Sequence, residues 1–255
     1  MTTYPHRIQD AGASARRRAA ELRHAELALQ HRRAAWRLPA AALGGYLLTT
    51  TVDTVLPAEA AGLSLVLGLL VPLYTARRLY EPGRDVQNWR LGAEGELQTA
   101  KILHPATRSG WIFLHDRAIP GSRANLDTLA LLPDGLGALY IDSKNTRSRG
   151  HARLHRGTLY VGRRSLAKEV STVIWEAGQA SKALCVPVCP VIALHGAQVP
   201  RSGLRTPDGV LVVAAPRLHH ILRRISHQRM PESALLLASR AESALPPYLR
   251  SRPTR

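Results

Sequence analysis

The stretch Asn125-Leu-Asp-Thr-Leu-Ala-Leu-Leu-Pro-Asp-Gly-Leu-Gly-Ala-Leu-Tyr-Ile-Asp-Ser-Lys-Asn145 decides how the chain is read. Two apolar runs, 125–132 and 137–143, flank Pro133-Asp-Gly, a turn signal, and so predict an antiparallel β-hairpin. Strand side chains alternate between faces, which places Asp142 and Lys144 on one side and Ser143 on the other. The chain writes its cations almost wholly as arginine: of 35 basic residues only Lys101, Lys144, Lys168 and Lys182 are lysine. A lysine beside one acid, with Asp127 on the strand before, is a constellation able to hold a metal ion and a phosphate.

Working outward, residues 89–104 read as a helix and 111–115 as a strand ahead of the hairpin. After it comes a second hairpin over His151 to Arg163, turning at Arg156-Gly157, then a helix at about 165–184. Strands at 186–194 and 210–215 and helices near 217–225 and 232–245 complete an α/β layout. Glu96 shares a helix face with Ala100 and Leu103, so it points toward the sheet, whereas Glu94 points away into solvent.

The order of these elements is that of the PD-(D/E)xK nuclease superfamily, and residues 90–185 more closely resemble the nuclease-related (NERD) domain. The resemblance rests on four strings in order. They are Gly92-Ala-Glu-Gly-Glu96 at a helix start, Asn125-Leu-Asp127 on a strand, Asp142-Ser-Lys144 on the next, and a later helix carrying Gln179. Each string is weak alone; the ordered set is specific. The resemblance implies a restriction-endonuclease-like mixed sheet flanked by helices, and metal-dependent hydrolysis of phosphodiesters, on DNA. Asp127 and Asp142 then supply hard oxygens for Mg²⁺ or Mn²⁺. Such an ion polarises a phosphoryl oxygen and acidifies a bound water. Lys144 orients the attacking water and offsets the developing charge, as a compact point charge can. Glu96 serves as a third carboxylate or water orienter, and Gln179 hydrogen-bonds a phosphate or the lysine.

Charge is distributed unevenly about this site. Residues 1–37 carry 8 Arg against 3 acids, 86–144 carry 6 of each sign, and 145–255 carry 18 basic against 5 acidic residues, a net +13. The acids gather at the site and the cations follow it, so a polyanion is drawn to 145–255. The alternative is that the arginines are a compositional bias on solvated faces.

Ahead of this domain, residues 1–37 form a basic helical leader rich in Ala, Arg, Glu and Leu. Two apolar runs follow, Leu38 to Leu56 and Ala60 to Ala76, joined by Pro-Ala-Glu at 57–59. Each approaches the roughly 17–25 residues that cross a bilayer. Arg32, Arg33 and Arg37 precede the pair and Arg77, Arg78 and Arg84 follow it, while the joining link has no cation. The positive-inside rule makes 38–76 a transmembrane hairpin in a cytoplasmic membrane of bacterial type, with both termini and the nuclease-like domain in the cytoplasm. The alternative is a soluble helical hairpin. The leader is too long, and followed by too poor a cleavage site, for a cleaved signal peptide. Residues 77–88 read as a linker, 89–200 as the nuclease-like domain, and 201–255 as a basic α/β extension packed on it.

Three functions are therefore in play: a membrane-anchored nuclease, a non-catalytic nucleic-acid-binding module of the same fold, and a membrane-associated scaffold. Cys185 and Cys189 are the only cysteines and, four apart on an expected strand, read as two buried thiols in a reducing compartment. With His195 they lack a fourth zinc ligand. P-loop and nucleophile-elbow strings are absent.

Overall fold

The computed structural model describes residues 8–55, 61–146, 150–225 and 229–248; the link 57–59 lies outside them. The chain forms two compact units, Arg17–Trp89 and, as the other, Met1–Arg16 with Arg90–Arg255.

The first unit is a helical hairpin of α1 (Ala13–Val55) and α2 (Ala61–Leu79), ending in the start of α3 (Arg84–Leu103). The basic leader and the first apolar run are one helix rather than two elements. Pro39 sits inside it, at the cost of one backbone hydrogen bond and of crowding against the carbonyl four residues before. The expected linker shrinks to residues 80–83, because α3 begins at Arg84. Gly45 and Gly68 let α1 and α2 meet backbone to backbone: a Cβ on Gly68 would stand 2.7 Å from the Gly45 carbonyl oxygen. Asp53, the one acid in the first apolar run, is hydrogen-bonded across the hairpin by Ser64, so the charge is satisfied inside the pair. Outside, Leu43, Leu47, Leu63, Leu69 and Leu73 are each more than half exposed. The span Gly62–Tyr80 is the one helix among the described residues long and apolar enough to cross a membrane. The α1 run, diluted by Gly44, Gly45 and Thr49 to Thr51, falls short of that measure.

The second unit is built on a six-stranded mixed sheet. Its strands are β1 (Ile112–Ala118), β2 (Asn125–Leu131) and β3 (Ala138–Asn145), then β7 (Val188–His195), β8 (Leu204–Arg205) and β9 (Leu211–Ala214), ordered β1-β2-β3-β7-β9-β8. The first three form an antiparallel meander, and β3, β7 and β9 run parallel. The turn predicted at Pro133-Asp-Gly closes the β2–β3 hairpin, with Gly135 at φ 72° and Leu136 N–H donating to Asp134.

The crossover from β3 to β7 carries a separate three-stranded sheet, β4 (Ala152–His155), β5 (Thr158–Val161) and β6 (Arg164–Ser165), and then α4 (Ala167–Leu184). One face of the main sheet packs Leu129, Tyr140 and Ile192 against Val173 and Ala177 of α4 and Leu237 of α6 (Pro231–Ala244). The other packs Phe113, Ile141, Val191 and Val213 with Leu103 of α3 and Leu222 of α5 (Leu218–Arg224). Leu245-Pro246-Pro247 belongs to this unit, as Ala118 N–H donates to the Pro246 carbonyl (2.8 Å).

Two thiols buried on a strand are not what forms. α4 runs to Leu184 and Cys185 takes the left-handed turn that ends it (φ 55°), leaving it exposed, while Cys189 is half-buried on β7.

Candidate active site

Asp127 and Asp142 meet because the β2–β3 ladder stops one step short of them. The last pair is Thr128–Ile141, and the Asp127 carboxylate then accepts the Ser143 backbone N–H at 3.0 Å. Lys144 Nζ donates to Asp142 Oδ1 at 2.8 Å. Asp142, Lys144 and Tyr140 alternate onto the α4 face of the sheet, and Ser143 onto the α3 face.

On that second face Ser143 Oγ donates to Thr99 Oγ1 (2.9 Å), which lies 2.8 Å from His195 Nε2. His195 also hydrogen-bonds the Gly95 backbone, and burial holds its pKa below the usual value against that bond. Asn145 Nδ2 donates to the Leu91 carbonyl (3.2 Å). Gly95 faces this pair: a Cβ there would make ordinary van der Waals contact with Asn145 (3.4 Å) and His195 (3.7 Å). These bonds fix the α3 register that delivers Glu96, buried at 7% exposure, to the acids. The histidine that reads in sequence as a companion of the cysteines is a strut between α3 and β7.

Crowding of acids in a buried place raises their pKa values. Burial, then the charges of Asp116 and Asp142, push Glu96 up to about 7. Burial, then Glu96 and Asp142, hold Asp127 well above the ordinary range. Asp142 is raised by burial against the pull of Lys144. Burial works to discharge Lys144, but Asp142 and Asp127 outweigh it and hold the ammonium above its usual pKa. Lys144 is thus a fixed cation here, suited to charge stabilisation and not to proton abstraction.

Two further acids belong to the cluster and were not singled out from the sequence. Glu176 on α4 is buried, accepts the Tyr140 hydroxyl at 2.7 Å, and is pushed to about 7 by burial, Asp142 adding to it against Tyr140 and Lys144. Gln179, one turn on, is half-buried and makes no hydrogen bond among the described residues, so α4 offers the site Glu176. A signal was available: Glu176 interrupts the apolar stripe Val173, Ala177, Ala180. Asp116 lies in β1 opposite Asp127, in a left-handed backbone conformation (φ 50°) that interrupts the β1–β2 ladder without shifting its register.

What holds Asp116 comes from the start of the chain. Ser14 N–H donates to its Oδ2 (2.7 Å) and Asn125 Nδ2 to its Oδ1 (2.8 Å), while the Gly12 N–H donates to Glu96. Gly12, just ahead of α1, and Ser14 in its first turn therefore aim N–H groups that the helix start leaves free at two site carboxylates. Gly12 and Ser14 of the basic leader thus also line the site. Gly12 has φ +70° and approaches Ala93 so closely that a Cβ would stand 2.7 Å from its carbonyl oxygen. Gly12→Ala is expected to destabilise the protein by about 1–3 kcal/mol, read as a lowered melting midpoint.

Among the described residues no three His, Cys, Asp or Glu side chains stand grouped as ready metal ligands. Yet Glu96 Oε2 and Asp142 Oδ2 are buried and without a hydrogen-bond partner among those residues. Unpartnered carboxylate oxygens on crowded acids are a donor set suited to a hard divalent cation, which would relieve both deficits at once. The residues present fit such an ion.

The site is thus a helix delivering one acid to a mixed sheet, with acids and a lysine where two strands part, in an α/β domain. Residues 91–195 match the nuclease-related domain (NERD) family, so the chain carries a NERD domain, spanning α3 from Leu91 to the last residue of β7. No curated protein and no solved structure matches the chain.

Proposed function

We propose that the chain is a membrane-anchored, metal-dependent nuclease of PD-(D/E)xK type acting on DNA. The observation that carries this is the pair of unpartnered, buried carboxylate oxygens on Glu96 and Asp142 beside the Lys144 ammonium. Asp127, Asp142 and Glu96 would hold Mg²⁺ or Mn²⁺. Bound there, the ion would supply Lewis-acid polarisation of the phosphate and a more acidic water. Lys144 stays charged and offsets negative charge building on the phosphate oxygens. Glu176 and Tyr140 brace the α4 side of Asp142 and Lys144. Gln179 is left the role of a phosphate contact that only a bound substrate would complete. Segment 145–255, at +13, receives the polyanion.

The test incubates the full chain in detergent with plasmid and Mg²⁺ or Mn²⁺, beside Lys144→Ala and Asp127→Asn. Cleavage lost in both variants supports the reading; cleavage surviving in both sinks it. A binding module of the same fold is favoured by one observation, the direct 2.8 Å pairing of Lys144 with Asp142, which leaves the lysine engaged. That reading predicts plasmid binding with no cleavage under any divalent ion.

Anchoring is proposed through 38–76, with both ends in the cytoplasm. The support is the outward-facing leucines of the hairpin, its internal Asp53–Ser64 bond and the arginines flanking it. Carbonate washing is expected to leave the protein in the membrane pellet; release into the supernatant would exclude an integral hairpin and leave a peripheral scaffold.

A further inference from the structure

We infer that the three-stranded sheet β4–β6 is a docking ribbon that grips the phosphate backbone of duplex DNA beside the candidate site. The inference rests on the nuclease reading and names the surface through which the substrate is held. Between Asp142 and Glu169 the sequence carries eight cations and no acid. On the ribbon, Arg153, Arg156 and Arg163 are exposed, and none is ion-paired among the described residues. Arg153 and Tyr160 are cross-strand partners on the outer face, the guanidinium 5.4 Å from the ring centroid, so the ring holds the cation extended without neutralising it. Arg156 and Arg163 stand at the two turns, beside Gly157 and Gly162.

The ribbon is rigidly held. Its inner residues Ala152, Leu159 and Val161 are buried in the same core as α4. Ala152 N–H donates to Gln198 (2.8 Å), Gln198 N–H to Gly150 (3.0 Å), and Leu166 N–H to Leu159 (2.9 Å). It is also tied to the acids: Arg164 pairs with Glu169 at 2.5 Å, and the charge of Glu169 acts on Asp142. Arginines set on an ordered backbone suit phosphate oxygens better than a flexible tail, since less backbone freedom is lost on binding. Its β4–β5 hairpin, four residues to a strand, is also of a size that a duplex groove admits. No large apolar side chain of the ribbon is exposed, whereas a loop built to enter a bilayer would present one.

The experiment measures binding of a short labelled DNA duplex by the full chain in neutral detergent with EDTA, over a range of salt. The triple change Arg153→Gln, Arg156→Gln and Arg163→Gln is expected to lower the slope of log K against log salt by about 2–3 and to weaken binding more than about tenfold near physiological salt. The same three positions as lysine keep the slope, separating charge from folding. Arg163→Glu alone, at an exposed turn, lowers the slope by about one or more should the triple variant fold poorly. Arg217→Gln, Arg223→Gln and Arg224→Gln on and beside α5 remove equal charge and change the slope less. Equal loss from the α5 variant, or none from the ribbon variant, overturns the ribbon and leaves the nuclease reading standing. So does loss of binding to phosphatidylserine vesicles with duplex binding intact. A wild-type chain that binds no duplex overturns the nucleic-acid reading itself.

Discussion

Asp127→Asn is expected to abolish cleavage while making the metal-free protein harder to melt. Asp127 is a buried carboxylate among acids, and burial, Glu96 and Asp142 all oppose its charge. The side-chain amide oxygen of the Asp127→Asn variant can still accept the Ser143 N–H that the native carboxylate accepts at 3.0 Å, so the strand junction survives. Removing the charge is therefore worth about 1–2 kcal/mol of stability, a few degrees in melting midpoint. Losing one carboxylate of a catalytic metal site forfeits several kcal/mol of transition-state stabilisation, about a thousandfold in rate. Lys144→Ala loses cleavage by about 10²–10³-fold but should melt lower, because it strips the cation that offsets Asp142 and Asp127. Two variants, both inactive, with melting shifts of opposite sign are what a functional acid cluster predicts. A merely structural Asp127 predicts a lower melting midpoint for Asp127→Asn, and that outcome would sink the assignment.

Without divalent metal, stability should fall as pH rises from about 4.5 to about 7. Glu96 and Glu176 each titrate near 7 in the folded protein, against a usual value of 4.5. Inside that window the folded chain holds protons that the unfolded chain has released, so raising pH favours unfolding. Their stabilising protonation is fully present below about 4.5 and gone above about 7. Asp127 and Asp142 are raised too and act in the same direction. Each glutamate is worth at most about 3 kcal/mol, and the pair somewhat less in sum because neighbouring acids ease one another when one is protonated. A divalent cation favours the ionised carboxylates, so its stabilising effect should grow with pH. Thermal melts in EDTA and in Mn²⁺, at about pH 5.5 and pH 8, measure both slopes. A melting midpoint that climbs with pH in EDTA, or an equal Mn²⁺ gain at both pH values, contradicts the buried acid cluster.

The two predictions draw on one feature. Five acids, Glu96, Asp116, Asp127, Asp142 and Glu176, come from five different strands and helices, and the charge of Lys144 acts on Glu96, Asp127, Asp142 and Glu176. Such a cluster is a poor way to stabilise a fold, because buried charge is expensive to desolvate. Here the surrounding struts supply the compensation: the Ser143–Thr99–His195 chain, the Gly12 and Ser14 N–H groups, and the Tyr140 hydroxyl. The site is held by residues that take no part in the chemistry proposed for it.

By itself the sequence determined the elements that carry the site and their order, because strand alternation, turn chemistry and helix periodicity are local properties that survive without the rest of the chain. Asp127, Asp142, Lys144 and Glu96 could be picked out for that reason: each sits at a fixed offset within one element, on a face its neighbours define. What tertiary structure decided was which elements close over that face. Glu176 joined from α4, one turn before Gln179, since a helix's rotation is set by its whole apolar stripe. Asp116 joined through a left-handed residue in mid-strand, which no propensity signals. Gly12 and Ser14, at the start of α1, reached Glu96 and Asp116 across more than eighty intervening residues, through backbone N–H groups that every sequence possesses and none advertises. The Asp142-Ser-Lys144 pattern was thus readable in the chain; the crowding that raises its acids exists only where five distant segments are packed together.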